Sequence, residues 1–297
     1  MRVLLILFLT AFLAACGSSA GVAQPPAGNA GGVETGPFRA LVYSRTAGFR
    51  HASIEAGIQA IQSLGAANDF SVDASEDPAV FTPENLAQYR VVIFLNTTLN
   101  VLDTDAQQQA LQNFITSGGG YVGVHSAADT EHDWPWYGEL VGAYFRSHPV
   151  QQIAQFRVEA ADHPSVSPLP NPWTVFDEFY SFRSNPRGQV RVLLNIDESG
   201  YSPNPNTSCL PDSATFPNGY DGVMGDHPMS WCHDNLGGRA WYTALGHEVA
   251  MYQLPEYSTH LLNGILTAAK RLAADCTPRE AAAPSQPPQD LRMCPVA

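Results

Sequence analysis

The chain has 297 residues, of which 44% are hydrophobic and only 14% charged, and its formal net charge is −13. That balance provides no basic face for phosphates, which excludes nucleic acid as a partner and argues against docking on an anionic membrane surface. Lys270 is the only lysine, so a Gly-Lys-Ser/Thr phosphate loop is absent and lysine-based catalysis is disfavoured.

Residues 1–15 predict a signal peptide. Arg2 supplies the positive end, and the apolar stretch from Val3 to Leu13 is too short to span a bilayer as an ordinary helix. Leu13-Ala14-Ala15-Cys16-Gly17 resembles a bacterial lipobox, which implies cleavage before Cys16 and a lipid on its sulfur. The expected location is the bacterial cell envelope, on the periplasmic side or the cell surface. The membrane would be a partner through the lipid anchor alone. Residues 16–37 are small, polar and rich in Gly and Pro, as a tether requires.

From residue 38 to 275 the apolar pattern alternates between strand and helix periods, predicting one α/β domain. Phe38–Ser44 reads as a strand and Ser53–Leu64 as a helix, with Ile54, Ile58, Ile61 and Leu64 on one face. Ser71–Ala74 is a weak strand, and a short helical segment covers Asn85–Tyr89. The continuous apolar run Val91–Leu95 fits a central parallel strand covered on both faces. Thr104 and Gln107 form a capping box ahead of a helix through Ile115, and Tyr121–Val124 is the next strand. This succession predicts a doubly wound parallel sheet with helices on both faces. Further strands are expected near 153–158, 190–196, 229–232 and 240–244, and a closing helix over His260–Ala273.

Setting Cys16 aside leaves Cys209, Cys232, Cys276 and Cys294, which allow three pairings. Sequential pairing, Cys209–Cys232 and Cys276–Cys294, closes the shortest loops and is the expectation. It makes residues 276–297 a tail pinned by the second bridge. A four-cysteine zinc site lacks the usual close ligand spacing.

Ligands of open parallel sheets bind beyond the carboxyl ends of the strands. Past those ends stand His51, Asn96-Thr97-Thr98 and His125-Ser-Ala-Ala-Asp129, followed later by His148, Asp177-Glu178-Phe-Tyr180 and His247-Glu248. His125 follows Gly123-Val124 in the layout of a strand-to-helix elbow, with imidazole where a nucleophile would stand. His125, His148 and His247 form a candidate metal set, with zinc the leading divalent cation. His125, Glu178 and His247 are the candidate catalytic residues, Glu178 carrying a proton or serving as a fourth ligand. His51, Asp129, Tyr180 and Trp134 are candidate substrate contacts, the aromatics by stacking on sugar rings. Ser126, Glu178 and His247 also occur in the order of a hydrolase triad, although Ser126 lies one place past the centre of the elbow.

Gly48-Phe-Arg-His51, Gly119-Gly-Tyr-Val-Gly-Val-His125, Phe145-Arg-Ser-His148-Pro149, Asp177-Glu178-Phe-Tyr180, Pro228-Met-Ser-Trp231 and Arg239-Ala-Trp-Tyr-Thr-Ala-Leu-Gly-His247 together resemble the ThuA-like (trehalose-utilisation) family. The resemblance covers roughly residues 38–273. It implies a flavodoxin-like fold similar to class I glutamine amidotransferases, and a role in carbohydrate metabolism. The amidotransferase pattern has Cys at the elbow, where this chain has His125, so that activity is excluded. The expectation is a carbohydrate-active enzyme that hydrolyses or isomerises a glycoside or an oxidised sugar. The alternative is a lipoprotein that binds sugar or polysaccharide without catalysis.

Overall fold

A computed structural model of the chain describes residues 33–204 and 221–280. The predicted signal peptide, Cys16, most of the tether, Cys209 and Cys294 lie outside the described residues.

A nine-stranded sheet organises the molecule. Its parallel part comprises β1 (Phe38–Tyr43), β2 (Phe70–Ser75), β3 (Val91–Leu95), β4 (Gly120–Val124) and β11 (Ala240–Thr243) in the order β2-β1-β3-β4-β11. β3 and β4 are wholly buried, as apolar runs covered on both faces must be. The chain crosses between these strands through α1 (Ile54–Ala67) and α3 (Asp105–Thr116), with the short α2 (Pro83–Leu86) packed on α3. Right-handed crossovers in opposite directions from β1 put α1 and α3 on opposite faces. The closing helix α5 (Pro255–Ala268) packs beside α1, while α4 (Pro135–Val141) covers the other face through Tyr137, which meets Tyr121. α5 begins five residues before the predicted start because Pro255 opens the first turn, where its missing N–H costs nothing.

Beyond β11 the sheet continues with antiparallel strands in the order β10 (Pro228–His233), β9 (Arg191–Ile196), β6 (Gln152–Val158) and β7 (Trp173–Asp177). β7 alternates buried and exposed residues because one of its faces meets water. This half curls back toward α5: Trp173 on β7 lies 6.2 Å from the His260 ring. A separate two-stranded ribbon, β5 (Phe145–Ser147) with β8 (Ser181–Phe182), bears the flanking residues His148 and Tyr180. At the opposite end of the sheet the chain enters β1. There the Glu34 N–H donates to the Lys270 carbonyl and its carboxylate pairs with Arg90 just before β3.

The expected cysteine pairing is corrected. Cys232 on β10 is bonded to Cys276, with their Cα atoms 5.3 Å apart. Shortest-loop reasoning ignores that the residues after α5 return beside β10, and spatial proximity decides which thiols meet. Residues up to 280 are therefore pinned through Cys276 to β10, and not to Cys294.

Two histidines are buried at α5, His260 on the helix itself and His163 beside Ser165. His163 Nδ1 accepts from the Ser165 backbone N–H at 3.2 Å and its hydroxyl lies at 2.9 Å, while His260 Nδ1 donates to the Ser165 carbonyl at 2.8 Å. Burial, reinforced for His163 by nearby Arg191, pushes His163 down to about 3, and burial pushes His260 down to about 4. The unfolded chain takes up these protons below about pH 6.5 and the folded chain does not. Their stabilising contribution is thus complete above pH 6.5 and is lost as pH falls toward 4, on the order of 3 kcal/mol for each ring. Thermal melts are expected to show the melting temperature dropping chiefly between pH 6.5 and 4. A melting temperature unchanged down to pH 4.5 would overturn the assignment.

Candidate functional site

The site lies at the carboxyl rim of the parallel strands. β4 runs straight into His125, whose φ is +50°. Such a left-handed backbone costs a branched or bulky residue about 1–2 kcal/mol. It aims the ring back over the strand ends. The His125 carbonyl accepts from the Tyr242 hydroxyl at 2.8 Å, which pins the turn. Asn96, after β3, also has a positive φ of +51°, and its amide nitrogen donates to Ser53 Oγ and to the Gly246 carbonyl.

Gly246, three residues past β11, has a φ of +119°, a conformation that suits glycine. A Cβ here would meet the Tyr257 and Tyr252 hydroxyls at 2.6 and 2.8 Å. Its carbonyl accepts from Ser53, Asn96 and Tyr252. The buried Asp177 accepts the Gly246 N–H on one carboxylate oxygen (2.7 Å) and the Glu248 N–H on the other (2.9 Å). Asp177 is therefore a staple that fixes the backbone on both sides of His247. Burial pushes its carboxyl up to about 6, against His125 and three backbone N–H donors that favour the ionised form.

These turns bring three donor atoms together. His125 Nε2 lies 3.4 Å from Glu178 Oε2, His247 Nδ1 lies 3.2 Å from the same oxygen, and the two nitrogens are 3.3 Å apart. His51, from the loop between β1 and α1, brings a fourth ligand atom, and all four lie within 4.8 Å of one another. His125 Nδ1 donates to the Ala244 carbonyl at 2.7 Å, which leaves the Nε2 lone pair facing the cluster. His51 Nδ1 is 3.4 Å from Ser126 Oγ.

The electrostatics follow from burial and from Glu178. Burial, with His125 and His247 nearby, lowers His51 to about 3, so its ring is neutral. Burial alone would raise Glu178, but its close contacts with the His125, His148 and His247 rings hold its carboxyl far below the ordinary range. Burial likewise opposes charge on His148 and His247, yet their contacts with Glu178 leave both raised above the usual value.

Next to the cluster is a cavity of about 320 Å³, whose lining includes His51, Asp129, His148, Glu178, Tyr180 and His247. Tyr180 packs its ring 4.3 Å from that of His125, and Asp129 pairs with His132 at 2.7 Å. The remaining lining includes Phe49, 67% exposed at the mouth, together with Phe145 and Gln151, none of which the sequence reading singled out. Phe49 sits inside the Gly48-Phe-Arg-His51 motif, a signal that was available; nothing in the sequence marks Gln151.

The structure differs from the sequence reading at three places. His148 does not join His125 and His247 in the four-residue group. Its Nδ1 faces the other carboxylate oxygen of Glu178 at 3.0 Å, because the ribbon carrying it approaches from the outer side, and His51 takes the fourth place. Trp134 is not among the cavity-lining residues; it starts α4 and stacks on Trp136 at 4.9 Å. Ser126 faces His51, while Glu178 and His247 face each other, so the hydrolase-triad order is not assembled.

A second group, His163 with Cys232 and Cys276, also gathers ligand-type atoms. The Ser165 N–H occupies the Nδ1 lone pair of His163, so the ring proton is on Nε2, directed at Cys232 Sγ at 3.6 Å. With the sulfurs bonded to each other, this group offers no free lone pair on nitrogen for a cation.

Three comparisons bear on these features. The ThuA family model, described as trehalose utilisation, matches residues 39–268. A crystal structure of a ThuA-like protein from Bacteroides uniformis is 25% identical, with a TM-score of 0.64 over 81% of this chain and 94% of that one. Another, from Parabacteroides merdae, is 19% identical, with a TM-score of 0.61 over 86% of this chain and 95% of that one, and it shows the shared fold. A search of curated proteins finds no match.

Proposed function

This chain belongs to the ThuA trehalose-utilisation family, and from that premise we propose that its rim site holds a divalent cation and acts on a carbohydrate. The reaction class is hydrolysis or isomerisation of a glycoside or an oxidised sugar. The observation that carries the reading is the spacing of His125 Nε2, His247 Nδ1 and Glu178 Oε2 at 3.2–3.4 Å. A tetrahedral zinc with bonds of about 2.0–2.1 Å sets neighbouring ligand atoms about 3.3 Å apart. The donor set of imidazole and carboxylate suits zinc.

Bound there, the ion would polarise a carbonyl or acidify a water molecule. The chain's own residues would do the rest. Glu178 balances positive charge with Oε2 while Oε1 stays turned toward His148 at 3.0 Å. His148, on the cavity wall, is placed to exchange a proton with a substrate oxygen. Asp129 offers a carboxylate to hydroxyl groups, and Phe49, Phe145 and Tyr180 give apolar surface for a sugar ring. The lipobox at Cys16 supports action at the cell envelope.

Elemental analysis of the purified protein is expected to find close to one zinc per chain. Turnover of a panel of glycosides and oxidised sugars is expected to fall when a chelator removes the metal. A metal-free preparation with undiminished turnover would sink the cation reading. The exposed Phe49 beside the aromatic walls also suits a binder; sugar binding by calorimetry with no product formed would favour that reading.

A further inference from the structure

A histidine that serves a cation through one nitrogen almost always has a partner at the other nitrogen that fixes the ring proton. His125 has the Ala244 carbonyl for this purpose. His247 has a different kind of partner. Its Nδ1 faces the cluster, and its Nε2 lies 3.0 Å from the side-chain amide nitrogen of Gln151. An amide N–H can only donate. It therefore occupies the Nε2 lone pair and leaves the ring proton on Nδ1, where Glu178 Oε2 accepts it at 3.2 Å.

That tautomer blocks Nδ1 as a ligand. For Nδ1 to bind a cation the proton must move to Nε2, which then needs an acceptor. A half-turn of the Gln151 carboxamide provides one, Oε1, at the same place. The turn exchanges a long 3.5 Å contact from the amide nitrogen to Glu178 Oε1 for two facing oxygens, a repulsion that the positive charge of a cation on Glu178 would offset, and Glu178 Oε1 keeps its 3.0 Å contact to His148.

The geometry points to Gln151 as a positioning residue that switches the tautomer of His247 between a cation-free and a cation-bound state. This inference rests on the cation reading above and adds how loading of that site is controlled. Gln151 reaches both states because its carboxamide carries a donor and an acceptor on one rotatable end. A side chain with only one of these, or neither, holds the site toward one state or supports neither.

The test uses the full chain, prepared metal-free, with zinc as the probe and two variants. Gln151→Glu offers only acceptors. Gln151→Met keeps the length and removes the hydrogen bond. Zinc affinity by competition with a chromophoric chelator is expected to fall about 10–100-fold in Gln151→Met, as for other partners of metal-bound histidine. Long-range 15N–1H spectra give a readout that a merely structural role would not move. Zinc-free wild type is expected to carry the His247 proton on Nδ1, and Gln151→Glu to carry it on Nε2 before any metal is added. A wild-type chain that takes up no zinc overturns the cation reading and this switch with it. A wild-type chain that binds zinc, together with unchanged affinity in Gln151→Met and the same zinc-free tautomer in wild type and Gln151→Glu, overturns the switch alone.

Discussion

Glu178→Gln is expected to cost the protein its cation almost entirely. The substitution removes the negative charge of the only carboxylate in the four-residue group, whose Oε2 faces both His125 and His247, and leaves a single neutral amide oxygen in its place. The loss in zinc affinity should exceed the 10–100-fold that outer partners of a metal site typically cost. The metal-free protein should show a second effect. Against burial, His148 and His247 are raised chiefly by Glu178, helped by the Pro149 carbonyl and Asp129 at His148 and by Asp177 and Glu248 at His247. With a neutral amide in place of Glu178 the main support is lost, and both rings should titrate lower, detectable by proton NMR of the imidazole resonances. Unchanged zinc affinity in Glu178→Gln would remove the cation reading. Unchanged titration of the two rings would show that the contacts seen here are not formed in solution.

Cys276→Ser should be the most destabilising change far from the site. The Cys232–Cys276 bond closes a loop with a sequence separation of 44, for which chain entropy gives about 4 kcal/mol. For a domain of this size that corresponds to a fall in melting temperature of roughly 10 °C. Cys232→Ser should behave alike, and reduction of the wild type should reproduce both. Peptide mapping without reductant is the direct check. A linked peptide joining Cys209 to Cys232 would contradict the pairing described here.

Much of this architecture is written locally in the chain. The parallel half was legible because wholly buried strands such as Val91–Leu95 must be apolar throughout, and because Thr104 and Gln107 announce their helix. The rim was legible in part, since the residue after each parallel strand falls at one end of the sheet: His51 and His125 were named from that argument, and Glu178 and His247 as ionisable residues further along the chain. The antiparallel half was harder to read. β7 has one face in water and ends on Asp177, so its pattern resembles that of a loop. Three features depend only on which segments meet in space: His51 in place of His148 in the donor group, Cys276 reaching Cys232, and Gln151 against His247. Asp177 is a related case. A carboxylate beside Glu178 reads as chemistry, whereas its two oxygens are spent on the N–H groups of Gly246 and Glu248.

The place where Glu34 meets Arg90 and Lys270 has a consequence for orientation. The polypeptide joins the domain at one pole, and the cavity opens at the other. A fatty-acyl leash on Cys16, as the lipobox suggests, could pay out at most about 60 Å before reaching Val33. A flexible leash of that reach would leave the mouth free to turn toward the bilayer or away from it. Aqueous solutes and leaflet headgroups would then both be within its reach.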